Sequence, residues 1–297
     1  MKLKQFRIFV VLADELHFGR AAERLHLAQP ALSAQIKMLE YDLGVPLFIR
    51  TTRRVRLTSA GEAFLPEALA TIAQSEAAVR VARSAGEEGA HILKIGGVDS
   101  ATAGLLPSVV RRFREVNPNV NLKVFEMLSA PALNMLENRS LDIAFVRKPP
   151  NDEHLQSRFI LSEPIVAALP KSHPLAGSSE IPISDIAHEP LVISGRSSRP
   201  IMFDVVLDYL RSNGIEPNIL QEANERHMII AMVASGLGVS LVPSWVSDFR
   251  RDDVVFLPLK DGGPTVDVHA AWRENEQMMI VTDFLEFLPN ASIPLGL

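Results

Sequence analysis

The sequence predicts three parts in one chain: a small helical N-terminal domain, one long helix, and an α/β region of two lobes. Apolar residues recur at helical spacing near the N-terminus, and a single apolar seam follows over residues 64–81. Beyond residue 90, strand-like and helix-like runs alternate. With 297 residues, 47% of them hydrophobic, the chain can bury more than one core.

The first motif is a helix, a tight turn and a second helix within residues 17–36. Ala21, Ala22 and Leu25 fall at helical spacing, and Leu27 is an apolar anchor in the turn. Pro30 suits the first turn of the second helix, where its missing N–H is not needed. The inward stripe of that helix is predicted to be Leu32, Ile36 and Leu39. This is the helix-turn-helix layout, whose second helix enters the major groove of DNA.

Positive charge is concentrated at the same end of the chain. Residues 1–58 hold ten Lys or Arg against five Asp or Glu, so their formal charge is +5, whereas the whole chain carries −5. The remaining residues therefore carry −10. This asymmetry favours an N-terminal domain that faces phosphates, attached to a larger part of the chain that does not. The alternative is an ordinary helical bundle with a solvated basic face.

One long helix is predicted over residues 59–88. Thr58 is a suitable N-cap with Glu62 soon after it, and Pro66 should kink the helix. The residues of the seam are spaced nearly as in a coiled coil, and they are Leu65, Leu69, Ile72, Glu76 and Val79. We expect this seam to pair with another subunit, the alternative being intrachain packing. Gly86 to Gly89 mark the following linker.

Alternating elements predict parallel sheets covered by helices in the remaining 200 or so residues. The predicted strands are 92–98, 120–127, 141–146, 165–169, 191–194, 219–220, 239–242 and 266–272. The predicted helices are 105–116, 133–138, 203–212, 225–235 and 277–288. This length suits two lobes better than one, joined by crossings near residues 148–159 and 270–274.

Polar side chains follow the first three of these strands. Ligands in open parallel sheets sit beyond the carboxyl ends of the strands. The segment from Asp99 to Thr102, with the hydroxyls of Ser100 and Thr102, follows the first strand, Ser129 follows the second and Arg147 the third. Hydroxyls at helix starts beside an arginine favour a carboxylate ligand. The alternative for Ser100 and Ser129 is that each is only a helix cap.

Residues 1–65 resemble the winged helix-turn-helix of LysR-type transcriptional regulators. The similarity runs through residues 21–33, continues over 39–48 with Arg50, and ends at 57–61. Several motif blocks in the same order make the resemblance specific. It implies a winged helix-turn-helix over residues 1–58, a linker and dimerisation helix over 59–89, and an effector-binding domain over 90–297.

The resemblance implies a DNA-reading surface on the second helix and the wing. A glutamine amide can bond adenine bidentately, and a serine hydroxyl serves several bases or a phosphate. Wing arginines suit phosphates or a narrow minor groove. The predicted DNA-binding residues are Gln29, Pro30, Ser33, Gln35, Arg50, Arg53 and Arg54.

For the effector domain, the resemblance implies a two-lobe α/β fold like that of periplasmic binding proteins, with a ligand in the cleft. Lobe one is expected over about 90–160 and 270–297, and lobe two over about 161–269. Residues 126–129 and 144–147 resemble the branch that senses aromatic-catabolite acids such as muconates, and Arg199-Pro200 resembles its second-lobe loop. The predicted ligand residues are Ser100, Thr102, Ser129, Arg147, Pro200 and Met202.

An enzyme would need a catalytic constellation, and the sequence offers none. Cysteine is absent, the eight histidines lack metal-ligand spacing, and no phosphate-binding glycine loop occurs. We therefore expect a cytoplasmic, non-enzymatic regulator without a cofactor or membrane segment. Its expected partners are promoter DNA, a small organic acid, further copies of the chain as a homodimer or homotetramer, and RNA polymerase if it activates. The alternative function is a small-molecule binding protein or enzyme with a basic N-terminal module.

Overall fold

A computed structural model describes residues 1–50, 55–86, 92–249, 251–260, 262–274 and 278–289, with the backbone alone at residues 50, 76, 77 and 80–86. The chain divides into two compact units. The first contains residues 1–92 with 134–141, and the second contains residues 93–133 with 142–297.

Three helices and a hairpin form the N-terminal part of the first unit. The helices are α1 (Leu3–Glu15), α2 (Phe18–Arg24) and α3 (Gln29–Leu43), and the hairpin pairs β1 (Phe48–Arg50) with β2 (Val55–Leu57) in antiparallel register. His17 caps α2, since its Nδ1 accepts hydrogen bonds from the backbone N–H groups of Gly19 and Arg20 at 3.1 and 3.2 Å. Gly44 ends α3 in the left-handed conformation, which glycine adopts without steric cost.

The predicted inward residues of the helix-turn-helix are buried. Ala21 and Ala22 on α2 are at most 2% exposed, and Leu25 and Leu27 pack against the same core. On α3, the buried stripe is Leu32, Ile36 and Leu39, as predicted. Phe9 of α1 joins the elements, because its ring contacts those of Phe48 and Phe64 at centroid distances of 5.4 and 5.0 Å.

The long helix α4 spans Ser59–Gly86 and continues through Pro66. The predicted cap is confirmed, since Thr58 Oγ1 accepts from Gly61 N at 2.9 Å and donates to the Pro46 carbonyl at 2.7 Å. The predicted kink at Pro66 stays a prediction, and the last two residues of the predicted helix lie outside the described range. On the seam, Leu69 is 41% and Val79 is 47% exposed within the single chain.

The second unit begins with β3 (Ile92–Gly97), a π-helix (Ser100–Leu105) and α5 (Leu106–Val116). Next come β4 (Asn121–Glu126), α6 (Ser129–Glu137), β5 (Ile143–Val146), β6 (Leu155–Pro170) and a 3₁₀ turn (Ile183–Ile186). There follow β7 (Leu191–Ser194), α7 (Pro200–Ser212), β8 (Ile219–Ala223), α8 (Arg226–Ala234) and β9 (Ser240–Pro243). A 3₁₀ turn (Ser244–Phe249), β10 (Val254–Pro258), β11 (Thr265–Arg273) and α9 (Met279–Glu286) complete the order.

The sheet topology is mixed rather than parallel throughout. Neighbouring strands follow the order β10-β6-β11-β5-β3-β4, and β9 also pairs with β6. The pairs β3/β5 and β7/β8 are parallel, as predicted. The prediction is wrong for β6, which pairs antiparallel with β9, β10 and β11. The antiparallel partners of β6 begin at Ser240, Val254 and Thr265, far beyond its end at Pro170, so the local alternation of helices and strands could not indicate these pairs.

One strand, β6, serves both lobes. Its residues 155–164 pair with β11, and its residues 165–170 pair with β9 and β10. Lobe one packs around the core that contains Phe113, Phe145 and Phe284, and lobe two around cores that contain Leu210 and Val242. The chain passes from the core of lobe one to that of lobe two at residues 161–165 of β6, and it returns at residues 266–268 of β11. The sequence had predicted these crossings near residues 148–159 and 270–274. The predicted strands do not include β10 or the first half of β6.

Glycine is required where β3 meets β5. A Cβ atom at Gly97 would lie 2.5 Å from the carbonyl oxygen of Phe145, so only glycine permits this close approach. The chain then turns at Asp99 into the π-helix. Among the described residues, no helix is long and apolar enough to cross a membrane.

Charged residues on the exposed seam of α4 should prevent self-association. Replacing Leu69 and Ile72 together with Lys is expected to give a monomer in sedimentation experiments, because the seam would then repel a second copy. The matched control is Gln74→Lys, which adds a charge to the same helix at an exposed position off the seam. A wild-type chain that sediments as a monomer at micromolar concentration would contradict this prediction.

Candidate functional site

The first residues of α3 are exposed in the part of the chain that the structure describes. Gln29 and Pro30 are exposed, and Ser33 and Gln35 are half-buried. The turn before α3 is closed by a hydrogen bond of 2.9 Å from the backbone N–H of Leu27 to the carbonyl of Ala22. Ser33 follows Gln29 by one turn along the helix, whereas Gln35 lies on the other flank of the buried stripe.

The strands of the predicted wing are present, and its tip lies outside the described residues. Arg53 and Arg54 belong to that tip, and of Arg50 only the backbone is described, so their contacts remain predictions. Arg56 on β2 is exposed. Not all positive charge in this unit is free, since Arg24 forms ion pairs with Asp14 and Glu15.

A cavity of about 210 Å³ lies between the lobes of the second unit. Its lining is mostly apolar at the first turns of α6 and α7, with charged groups at its other side. The lining residues are Val98, Asp99, Leu128, Ser129, Ala130, Pro131, Arg147, Arg199, Pro200, Ile201, Met202 and Arg226. A volume below that of drug-sized sites suits a small ligand.

Three guanidinium groups converge on one buried carboxylate. Asp99, 3% exposed, lies 2.8 Å from Arg199, 3.1 Å from Arg226 and 3.4 Å from Arg147. Asp99 and Arg147 belong to lobe one, whereas Arg199 and Arg226 belong to lobe two. Arg199 also reaches the exposed Glu126 of lobe one at 3.2 Å. These ion pairs therefore join the lobes at the cavity.

A second buried carboxylate lies behind Arg147. Glu163 Oε2 accepts a hydrogen bond of 2.6 Å from the hydroxyl of Ser100, which itself accepts one of 2.5 Å from Arg147 Nη2. Arg147 Nη1 lies 3.4 Å from the same carboxylate. Ser100 and Glu163 thus orient the guanidinium group of Arg147.

The two carboxylates differ in how burial and charge affect them. Burial alone would raise the pKa of Asp99, but the guanidinium groups of Arg226, Arg199 and Arg147 together hold that pKa below its usual value. Burial raises the pKa of Glu163, and the contacts with Ser100 and Arg147 only partly oppose this. Asp99 is therefore the more firmly ionised of the two.

Four of the six predicted ligand residues line the cavity: Ser129, Arg147, Pro200 and Met202. Ser129 Oγ accepts a hydrogen bond of 3.0 Å from the backbone N–H of Arg147. Ser100 is 2% exposed and lies behind Arg147, outside the lining. Thr102 is also outside it, and its hydroxyl bonds to the Val98 carbonyl at 3.3 Å.

The helix-cap alternative does not describe Ser100. The N-cap of the π-helix is Asp99, whose Oδ1 accepts from the backbone N–H of Ser100 at 3.0 Å. A buried hydroxyl between Glu163 and Arg147 has a different role, the positioning of a guanidinium group. π-Helical segments occur frequently at functional sites.

Glu163 and Arg226 were not predicted as site residues, and Asp99 was selected with residues 99–102 but was given no role. A signal existed for Arg226, because a cation at the first position of a helix opposes the helix dipole unless an anion lies beside it. Glu163 stands alone among the largely apolar residues of β6, where an acid needs a partner. Neither signal identifies the partner, since Asp99 lies 127 residues from Arg226 in sequence.

Metal chemistry finds no support in this site. Among the described residues, no group of three or more His, Asp or Glu could hold a metal ion. What the cavity offers is buried positive charge beside an apolar surface, which suits an organic anion.

Comparison with known proteins adds two family matches. Residues 3–62 match the description "Bacterial regulatory helix-turn-helix protein, lysR family", and residues 86–292 match "LysR substrate binding domain". The regulator AlsR of Bacillus subtilis is 37% identical over 96% of this chain and 94% of its own length. The regulator CatR of Pseudomonas putida is 36% identical over 95% of this chain and 96% of its own length.

Solved structures agree with these matches. The structure of full-length CbnR complexed with its target DNA has a TM-score of 0.80 and 25% identity, and the match covers 97% of this chain and 99% of CbnR. The effector-binding domain of BenM with its effector benzoate has a TM-score of 0.61 and 25% identity. That match covers 66% of this chain and 89% of the BenM domain.

Replacing Asp99 with Asn should destabilise the second unit in a pH-dependent way. Arg147 would keep Glu163, and Arg199 would keep Glu126. The buried Arg226 would lose its carboxylate partner, so the expected loss in the free energy of unfolding is about 3–5 kcal/mol at neutral pH. Because the folded-state pKa of Asp99 is lowered, its contribution is present above the model-compound value of 3.8 and is lost as pH falls through the folded-state pKa. Urea unfolding at a series of pH values measures the loss, which should shrink in acid.

The substitution Glu163→Gln should change the free energy of unfolding in the opposite direction to Asp99→Asn. Because the folded-state pKa of Glu163 is raised, its ionisation costs stability as pH rises through that pKa. This variant should therefore gain stability relative to the wild type as pH rises. A loss at Asp99→Asn that is the same at every pH would show that the ion pairs do not cause it.

Proposed function

The chain belongs to the LysR family of bacterial transcriptional regulators, and from this premise we propose that α3 reads promoter DNA while the cavity holds a small carboxylate effector. Regulators of this family bind DNA and respond to small molecules, and both family domains are present. The observation that carries the effector assignment is the group of three guanidinium groups beside an apolar cavity. We also propose a cytoplasmic location, because promoter DNA is there.

For DNA, the proposal rests on the exposed N-terminal residues of α3. Gln29 is the first residue of the helix and is exposed, so its amide can reach the edge of an adenine. Ser33 is one turn further on the same side. Arg50, Arg53 and Arg54 are proposed as phosphate or minor-groove contacts of the wing, and Pro30 and Gln35 as neighbouring contacts.

For the effector, the cavity favours a small acid with a compact apolar body. Arg147 and Ser129 offer donors on lobe one, and Pro200 and Met202 give an apolar surface on lobe two. The hydroxyl of Ser129 accepts from the backbone of Arg147, so its own proton is available to a carboxylate. The benzoate of BenM is an acid of this kind, which supports the class of ligand without identifying it.

The effector would act by changing how the lobes are joined. It can do so only if it binds one arrangement of the lobes more tightly than another. Pairing through α4, and a tetramer formed as a dimer of dimers, would carry this change to paired DNA-reading helices on two half-sites. If the chain activates transcription, RNA polymerase is the further partner.

The base-reading role of Gln29 predicts a change in sequence preference. Gln29→Ala should relax the preference at particular base pairs and cost about 1–3 kcal/mol of binding free energy at the preferred site. Arg53→Ala should instead weaken binding to all sequences and reduce the salt dependence. Footprinting and binding titrations at several salt concentrations measure both effects. Unchanged affinity and preference in Gln29→Ala would rule out base reading by this residue.

The effector role of Arg147 predicts a separation of ligand response from DNA binding. Arg147→Ala should abolish the response to the effector while DNA affinity stays unchanged, because the cavity is in the second unit. Ser129→Ala should weaken the response by about 1–3 kcal/mol, the scale of one buried hydrogen bond to a charge. Calorimetry with benzoate as the first probe, followed by other small acids, measures this.

The matched control is Arg196→Ala, which removes an exposed arginine paired with Asp204 outside the cavity. Undiminished ligand affinity in both cavity variants would place the effector elsewhere.

A further inference from the structure

We propose that Asp99 is a built-in counterion that makes the cavity selective for effectors with one negative charge over effectors with two. The inference rests on the proposed function of the cavity as the effector site. It adds the residue that sets the charge of the ligand, which neither the family matches nor the predicted ligand residues supply.

Asp99 shares its guanidinium partners with any anion in the cavity. It lines the cavity together with Arg147, Arg199 and Arg226, which are the same three groups that it contacts at 2.8–3.4 Å. Its Oδ2 contacts both arginines of lobe two, and its Oδ1 contacts Arg147. A bound carboxylate would therefore lie beside a fixed negative charge.

Some donor capacity remains for a ligand. Arg199 Nε is buried and has no hydrogen-bond partner among the described residues. A buried N–H without a partner is costly, so an acceptor that reaches it gains the full interaction. Arg199 lines the cavity, so its guanidinium group has donor capacity beyond its contacts with Asp99 and Glu126, and an anion that draws this group toward the cavity can satisfy it.

The charges of the cluster leave room for one further anion. Three arginines face two buried carboxylates, Asp99 and Glu163, which gives a formal charge of +1 when both carboxylates are ionised. The remaining acid, Glu126, is 52% exposed and screened by solvent, so it counts for little. One carboxylate neutralises the cluster, whereas a dianion leaves an excess negative charge in a poorly solvated site.

Removal of the charge of Asp99 should reverse this selectivity. In Asp99→Asn the formal charge becomes +2, which matches a dianion. The effect is specific to a charge inside the cavity, because a purely structural role of Asp99 would weaken the binding of both classes of anion alike.

The test compares benzoate with phthalate, which adds a second carboxylate to the same ring. Calorimetry on the full chain at about pH 8, where carboxylates are ionised, gives the ratio of the two dissociation constants. Asp99→Asn should shift this ratio toward phthalate by at least about tenfold. The ratio cancels the general loss of affinity that a destabilised variant would show.

Sulfate provides a second readout that does not depend on ring size. Thermal stabilisation by sodium sulfate, relative to sodium chloride at equal ionic strength, should be larger for Asp99→Asn than for the wild type, since the variant cavity carries +2. Equal stabilisation of the two proteins, together with an unchanged ratio of phthalate to benzoate binding, would overturn the proposal.

A compensating variant keeps the test valid if Asp99→Asn folds poorly. Asp99→Asn combined with Arg226→Gln restores the formal charge of +1, and the preference for benzoate should return. The matched control Asp204→Asn makes the same chemical change at an exposed ion pair outside the cavity and should leave the ratio as in the wild type. A double variant that keeps the preference of Asp99→Asn would contradict a role of charge.

Failure of this inference differs from failure of the proposed function. If the wild type binds neither benzoate nor any other small acid while retaining DNA binding, the carboxylate effector is wrong. If the wild type binds benzoate but Asp99→Asn shows the same ratio, only the counterion role of Asp99 is wrong.

Discussion

A single buried carboxylate organises the second unit of this protein. Asp99 accepts contacts from guanidinium groups of both lobes, so the burial of Arg226 and, in part, that of Arg147 and Arg199 depend on it. Without such a partner each buried charge would cost several kcal/mol, about the size of a domain's whole net stability. The same contacts fix where the cavity lies and which charge it presents, so stability and recognition rest on one interaction.

The path of β6 explains why the cavity forms there. This strand leaves the sheet of lobe one at about residue 164 and continues into the sheet of lobe two. Glu163 lies at this crossing and accepts a hydrogen bond from Ser100, so β6 contacts the first residue of the π-helix directly after Asp99. A ligand that changes the balance of charges at Asp99 acts directly on contacts between the lobes, which is what a population shift requires.

The first unit has a different structural requirement, since it must hold exposed polar side chains on a well-packed helix. Leu32, Ile36 and Leu39 anchor α3 in the core, and Phe9 holds the hairpin and α4 against the helices. Gln29 is therefore exposed at the start of a helix that the core holds in place. Side chains on well-packed helices are held more precisely than side chains on loops, as the reading of bases demands.

Amino-acid patterns were sufficient to predict the elements whose signals are local. Helical spacing placed Leu32 and Ile36 inward, Thr58 was a recognisable cap, and the neighbouring strands β3, β4 and β5 brought Ser129 and Arg147 to one edge. Periodicity and capping involve residues a few positions apart, so a linear pattern carries them.

The antiparallel pairing of β6 and the ion cluster of Asp99 are visible only in the folded chain. The partners Asp99 and Arg226, or Ser100 and Glu163, lie 127 and 63 residues apart. Contacts of this kind depend on how distant elements pack, and no local pattern records which charged residue will be buried beside which. The sequence therefore indicated a cavity with Arg147 in it, while the counterion that sets the charge of that cavity emerged only from the fold.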